Sequence, residues 1–211
     1  MFTGIVQGLC RVASVVDEPG LRRLQIDLGP LADGLLTGAS VSVNGTCLTA
    51  TSISGGRAGF DVIRESMART NLGSIEAGDL VNVERSLKFG DEIGGHVLSG
   101  HVADVATVAQ IDTGSNERTI WFDVPRGSLQ FLFHKGFVAL DGASLTISAI
   151  DHPRGRIGVS LIPETIARTT LGRVVVGDRV NMEIDAQTQT VVATVERLLN
   201  DPQWREQLRR R

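Results

Sequence analysis

Hydrophobic and polar residues alternate, or run apolar for four to eight positions, in LRRLQIDL, ASVSVNGTCLTATSI and DLVNVE of the first half, and again in TIWFDV, FVALDGASLTISAI and RVNMEI of the second. Each run stops at Gly, Asp, Asn or Pro, the pattern of short β-strands. Two runs are interrupted by Asn44-Gly45 and Asp141-Gly142. Both dipeptides accept the positive φ of a type I′ turn and therefore predict tight hairpins. Between strands, RESMARTNLG and PETIARTTLG predict short helices, with Glu65 and Glu164 favouring the N-terminal dipole and Gly73 and Gly172 serving as left-handed caps. At the end of the chain the period changes. Val191, Val192, Val195, Leu198 and Leu199 fall on one stripe at helical spacing, predicting an amphipathic helix that must cover its apolar side on the barrel or on a copy of itself.

The strand pattern is written twice. VNGTCLT at 43–49 returns as LDGASLT at 140–146, ARTNLG at 68–73 as ARTTLG at 167–172, and GDLVNVE at 78–84 as GDRVNME at 177–183. Gly4 and Val6 likewise answer to Gly100 and Val102, and the matching positions lie 96 to 99 residues apart in unbroken order. An internal duplication is the economical reading. It predicts a mainly β protein of two tandem antiparallel barrels, since closing each sheet removes its edges. The divisions are 1–97, including a polar glycine-containing linker RSLKFGDEIGGHV, then 98–187, then a helix at 188–211.

Composition and charge narrow the function. With 211 residues, 42% hydrophobic and 21% charged, the chain is ordinary globular protein, and a net charge of −3 gives no broad basic field for nucleic acid or an anionic membrane. No run approaches a membrane-spanning length, and MFTGIVQG lacks the basic and apolar parts of a secretory leader, so a cytoplasmic setting is expected. Cys10 and Cys47 are too few for a disulfide framework. His96, His134 and His152 have no metal-ligand spacing, and no phosphate-binding glycine loop is present.

The duplicated turns end in Thr49 and Thr146, and backbone amides with hydroxyls suit the hydrogen-bonding edge of a flat polar heterocycle. Their copies are unequal: Cys47 stands against Ser144, Ile5 against His101, and Ser40 against Phe137. Unequal copies of one module could hold two like molecules in different chemical settings. The plain alternative is that they are hairpin turns and nothing more, with Cys47 a small buried hydrophobe.

MFTGIVQG, NGTCLT, EIGGHVLSGHV at 92–102 and LIPETIARTTLG at 161–172 together resemble the riboflavin synthases of the trimeric alpha-chain type, over essentially the whole chain. The resemblance implies two Greek-key barrels and a C-terminal helix that assembles a homotrimer. The implied active site lies between the first barrel of one subunit and the second barrel of a neighbour. The implied reaction is dismutation of two 6,7-dimethyl-8-ribityllumazine molecules to riboflavin and 5-amino-6-ribitylaminouracil, with no metal or organic cofactor. Whether the chain associates with lumazine synthase, which makes the substrate, is left open by the sequence.

Carried over by motif, one substrate site takes Gly4, Ile5 and Val6, Cys47, Leu48 and Thr49, and Asp61, Val62, Ile63, Arg64, Glu65 and Ser66. The other takes Gly100, His101 and Val102, Lys135, Ser144, Leu145 and Thr146, and Ser160, Leu161, Ile162, Pro163, Glu164 and Thr165. Ser40, Cys47, His101, Ser144, Thr146 and Asp185 match the family's catalytic polar positions. His101, Ser144 and Thr146 are expected to serve proton transfer at one ring, and Ser40 and Cys47 activation or addition at the other. The competing reading is a lumazine- or flavin-binding accessory protein of the same fold, without catalysis.

Overall fold

The computed structural model describes residues 1–114, 118–202 and 204. In the first barrel the strands are β1 (Gly8–Glu18), β2 (Leu21–Asp27), β3 (Ser40–Val43), β4 (Thr46–Ser54), β5 (Arg57–Ile63) and β6 (Leu80–Arg85). The second contains β7 (Asp104–Thr113), β8 (Arg118–Asp123), β9 (Phe137–Leu140), β10 (Ala143–Asp151), β11 (Arg156–Leu161) and β12 (Arg179–Ile184). Each set closes into a six-stranded antiparallel barrel, and the cyclic order β1-β2-β5-β4-β3-β6 recurs in the second with every label advanced by six. The duplication reaches the irregularities. Register shifts at Val12/Ser14 and Ala50/Ser52 return at Val108/Gln110 and Ile147/Ala149, where an extra residue bends a long strand around the closing sheet.

Alternation makes the two cores. Leu24, Ile26, Val41, Val43, Phe60 and Val62 fill one barrel, and Ile120, Phe122, Val138, Leu140, Ile157 and Val159 fill the other, all fully buried. Each such side chain contributes roughly 1.5–3 kcal/mol by leaving water. The predicted type I′ turns are present, with φ of 44° at both Asn44 and Asp141 and 78° at both Gly45 and Gly142. They abut: a Cβ on Gly45 would lie 2.7 Å from the Gly142 nitrogen, so glycine is required for the approach.

Around these turns the barrels are joined by a pseudo-symmetric amide network. Asn82 donates to the Asp141 carbonyl and Asn181 to the Asn44 carbonyl, both at 2.8 Å. The Asn71 amide donates to the Asn181 side chain at 2.6 Å, and the Thr170 amide to the Asn82 side chain at 2.8 Å. Two of its three paired positions differ, Thr170 standing for Asn71 and Asp141 for Asn44. Asp141 replaces the amide of Asn44 with a carboxyl, and burial pushes its pKa up to about 7, against hydrogen bonds from Asn181, Asn71 and Thr170.

The short helices are α1 (Arg64–Arg69) and α2 (Pro163–Arg168). Gly73 and Gly172 do not cap them in the left-handed region, because the chain passes through extended Thr70 and Thr169 into 3-10 turns. Glycine is needed there for closeness instead: a Cβ would sit 2.4 Å from the Met67 carbonyl oxygen at Gly73 and 1.9 Å from that of Ile166 at Gly172. The terminal helix α3 spans Ala186–Asn200, so residues 186 and 187, read from the sequence as barrel, begin the helix after the Asp185 cap. Positions 203 and 205–211 of the expected helix lie outside the described residues. No helix among the described residues is long and apolar enough to cross a membrane.

Candidate active site

The outer faces of β3–β4 and β9–β10 carry the polar positions. Ser40 lies opposite Thr49, and Ser42 opposite Cys47. In the second barrel Phe137 faces Thr146, and Ala139 faces Ser144. Leu48 and Leu145 point inward and are buried, whereas Thr49 and Thr146 are exposed at the rim. Pairing of Ala50 with Phe60 brings Asp61–Ile63 alongside Leu48–Thr49, and pairing of Ile147 with Val159 does the same for Ser160–Ile162 beside Leu145–Thr146. Each wall continues into a short helix, with Arg64–Ser66 opening α1 and Pro163–Thr165 in α2. Ile63 and Ile162 leave over half their surface open at these corners. Lys135 stands just before β9 with φ of 66°, its amide bonded to the Ile147 carbonyl.

What completes each rim crosses between halves. The Gly4 carbonyl accepts the Ser144 amide at 2.8 Å, and the Gly100 carbonyl accepts the Cys47 amide at the same distance. Sequence reasoning grouped Gly4–Val6 with Cys47 and Gly100–Val102 with Ser144; the structure exchanges them. The exchange follows from pairing of the two preceding segments, since Phe2 and Leu98 each donate to the other's carbonyl, at 2.8 and 2.9 Å. Glycine is obligatory at both crossings. Gly4 and Gly100 hold φ of 75° and 79°, and a Cβ would lie 2.5 Å from that of Ser144 or 2.6 Å from that of Cys47.

The rims differ in what surrounds the variable position. Cys47 packs against Phe2, Leu98 and Ala139. Ser144 instead meets His96, whose Nδ1 lies 2.7 Å from the serine Oγ and whose ring stacks on Phe137 at 5.0 Å and 16°. His96 is 7% exposed, and its Nε2 is buried without a hydrogen-bond partner in the described chain. Burial holds its pKa below the ordinary imidazole value, partly opposed by nearby Asp185. Burial raises the Asp185 pKa, but bonds from the Thr188 hydroxyl and amide, with His96 nearby, outweigh it and hold the carboxyl low. Asp185 is thus first the cap of α3. His101, the histidine singled out in the sequence, is exposed. GHV occurs at both 95–97 and 100–102, so the signal that could have pointed to His96 is the same one that points to His101.

Cys10 is buried, with its thiol pKa pushed up to about 11 by desolvation and by Asp27, which makes it an inert core residue. Among the described residues no group of three or more His, Cys, Asp or Glu is arranged to hold a metal ion.

Residues 3–86 and 99–185 each match the family model of the lumazine binding domain. The chain is 51% identical to the riboflavin synthase of Escherichia coli (strain K12) over 201 residues, 94% of this chain and 93% of that protein. It is 45% identical to the riboflavin synthase of Chlamydia pneumoniae, over 94% and 97% of the two chains. Among solved structures, LumP complexed with riboflavin is similar at a TM-score of 0.82 and 26% identity, covering 88% of this chain and 100% of that one. LumP complexed with 6,7-dimethyl-8-ribityllumazine is similar at 0.79 and 25%, covering 88% and 99%. With its lumazine binding domain in two repeats, the chain belongs to the riboflavin synthase family.

Proposed function

We propose that this chain converts two molecules of 6,7-dimethyl-8-ribityllumazine into riboflavin and 5-amino-6-ribitylaminouracil. A four-carbon unit passes from a donor ring to an acceptor ring, and the remainder of the donor leaves as the pyrimidine. Atoms and electrons balance between the two substrates, so the reaction draws on no external oxidant or reductant. Loss of a proton from the 7-methyl group leaves an anion delocalised over the electron-poor pteridine, and the protein's tasks are to hold the rings, move protons and stabilise developing charge.

The observation that carries this reading is that both rims are intact yet chemically unequal. One combines Gly4, Ser144, Thr146 and buried His96; the other combines Gly100, Cys47, Thr49 and Ser40. Backbone amides and threonine hydroxyls suit the polar edge of the ring, while Ile63 and Ile162 offer apolar cover. His96 is joined to its rim through Nδ1 and the Ser144 hydroxyl, so proton exchange with a bound ring passes through Ser144, the Nε2 being buried.

Assembly is part of the proposal. Val191 is 62% exposed, Val195 48% and Leu198 37%, so these apolar side chains of α3 are open to solvent in the single chain. A homotrimer formed through α3, in the cytoplasm, would set the first barrel of one subunit against the second barrel of the next. Association with lumazine synthase is a separate expectation, read by co-sedimentation of the two proteins.

The second reading is ligand carriage without turnover, favoured by the likeness to LumP bound to riboflavin and to the lumazine. Incubating the purified protein with 6,7-dimethyl-8-ribityllumazine discriminates. Riboflavin formation supports the enzyme; ligand retained unchanged supports the carrier and overturns the proposal.

A further inference from the structure

Each crossing segment is held by one buried glutamate. In the first barrel, Glu84 at the end of β6 accepts the Thr3 amide at 2.6 Å and the Thr3 hydroxyl at 2.7 Å on Oε1, and the Gly4 amide at 3.0 Å on Oε2. In the second, Glu183 at the end of β12 accepts the Ser99 amide and hydroxyl on Oε1, both at 2.7 Å, and the Gly100 amide at 3.1 Å on Oε2. The hydroxyls then turn back to the chain: Thr3 Oγ accepts the Ile5 amide at 3.3 Å, and Ser99 Oγ accepts the His101 amide at 3.2 Å. Both carboxylates are buried, at 4% and 5% exposure. A buried carboxylate filled by three donors in one geometry fixes its segment closely, because removing an acceptor strands those donors.

The segments so fixed lead directly to the reactive positions. From Glu84 the path runs through the Thr3 carbonyl, which accepts the His96 amide at 3.1 Å, and the Gly4 carbonyl, which accepts the Ser144 amide. One carboxylate therefore locates both members of the His96–Ser144 pair. From Glu183 it runs through the Gly100 carbonyl to the Cys47 amide. We infer that Glu84 and Glu183 are paired positioning residues, each setting one ring site: Glu84 the Ser144 rim on the opposite barrel and Glu183 the Cys47 rim. Neither needs to touch substrate. The inference rests on the lumazine reading for its ligand, while its geometry is independent of it.

The test uses the full chain with Glu84→Gln and Glu183→Gln. Glutamine keeps the size but turns an NH2 toward one of the donors the carboxylate served. With Glu84→Gln, amide hydrogen exchange in residues 2–6 should accelerate at least tenfold while residues 98–102 keep their wild-type protection; Glu183→Gln should give the reverse. Titration with 6,7-dimethyl-8-ribityllumazine should show one of two sites per chain weakened about tenfold in each variant, and turnover reduced in both. If either variant fails to fold, Thr3→Val and Ser99→Ala remove one donor each and should reproduce the same local split in exchange and affinity. Equal loosening of both segments, or unchanged affinity at both sites despite a loosened segment, overturns the inference. Failure of the lumazine reading looks different: the wild type forms no riboflavin, yet the split in hydrogen exchange persists.

Discussion

The Ser144 rim and the Cys47 rim are copies of one turn, and they are hardest to tell apart in backbone and easiest in surroundings. Both stand on a type I′ hairpin, both receive a glycine carbonyl from the other half, and both are tied down through a glutamate. Yet Ser144 faces a buried imidazole stacked on Phe137, while Cys47 packs against the apolar cluster that contains Phe2 and Leu98. Duplication thus supplied two equivalent cradles, and a few side chains outside the turn make them chemically different. For a reaction that needs like molecules as donor and acceptor, that division of labour is more informative than the turn itself.

The comparison can be broken most severely at the crossings. Gly4→Ala and Gly100→Ala each force a Cβ to within 2.6 Å of the facing rim residue from a backbone of positive φ. Each should cost on the order of 2–3 kcal/mol of stability and most of the turnover, read by thermal melts and riboflavin formation. Next comes the imidazole. Loss of a positioned acid–base group typically costs ~100-fold or more, so His96→Gln should lower turnover by at least tenfold, and by more than His101→Gln, in steady-state assays. Equal effects would remove the distinction drawn between the buried and exposed histidines. In the wild type, activity carried by neutral His96 should decline on the acid side at a pH below the ordinary imidazole range, because burial depresses its pKa.

Cys47→Ser makes the two rims alike at the variable position. With Cys47 packed against an apolar cluster, turnover should fall by less than about tenfold, as a polar-for-apolar swap predicts. At the barrel junction the expected effect is on stability and not on turnover. Asp141 holds its proton to about pH 7, whereas an unfolded carboxyl releases it near 4, so the native state gains from protonation at low pH and loses that gain as pH rises through 7. Asp141→Asn copies Asn44 and abolishes the titration. Chemical denaturation should find the variant more stable than wild type by about 1–3 kcal/mol at pH 8, with the gap closing toward pH 5.

Much of this architecture was legible in the sequence because it is local or repeated. Alternation marks the strands, Asn44-Gly45 and Asp141-Gly142 mark turns of the expected hand, and the matched offsets predict two barrels. The crossing of Gly4 onto Ser144 was not legible, since it depends on Phe2 pairing with Leu98 across 96 positions. Gly73 and Gly172 were misread for a related reason: a glycine required for left-handed backbone and one required for close approach look the same in a sequence. His96 was missed because its significance comes from burial, a stacked Phe137 and the reach of Ser144 Oγ, none of which spacing encodes. Ser144, Thr146 and the hairpin positions carried by resemblance do lie on one rim, whereas Asp185 reaches His96 electrostatically while its own hydrogen bonds cap α3.

The central claim is that two unequal rims join two identical substrates. Its most direct test is the product balance from 6,7-dimethyl-8-ribityllumazine supplied alone, followed by chromatography and absorbance. One riboflavin and one 5-amino-6-ribitylaminouracil should appear for every two lumazines consumed; tight binding of the lumazine with no product would contradict the account.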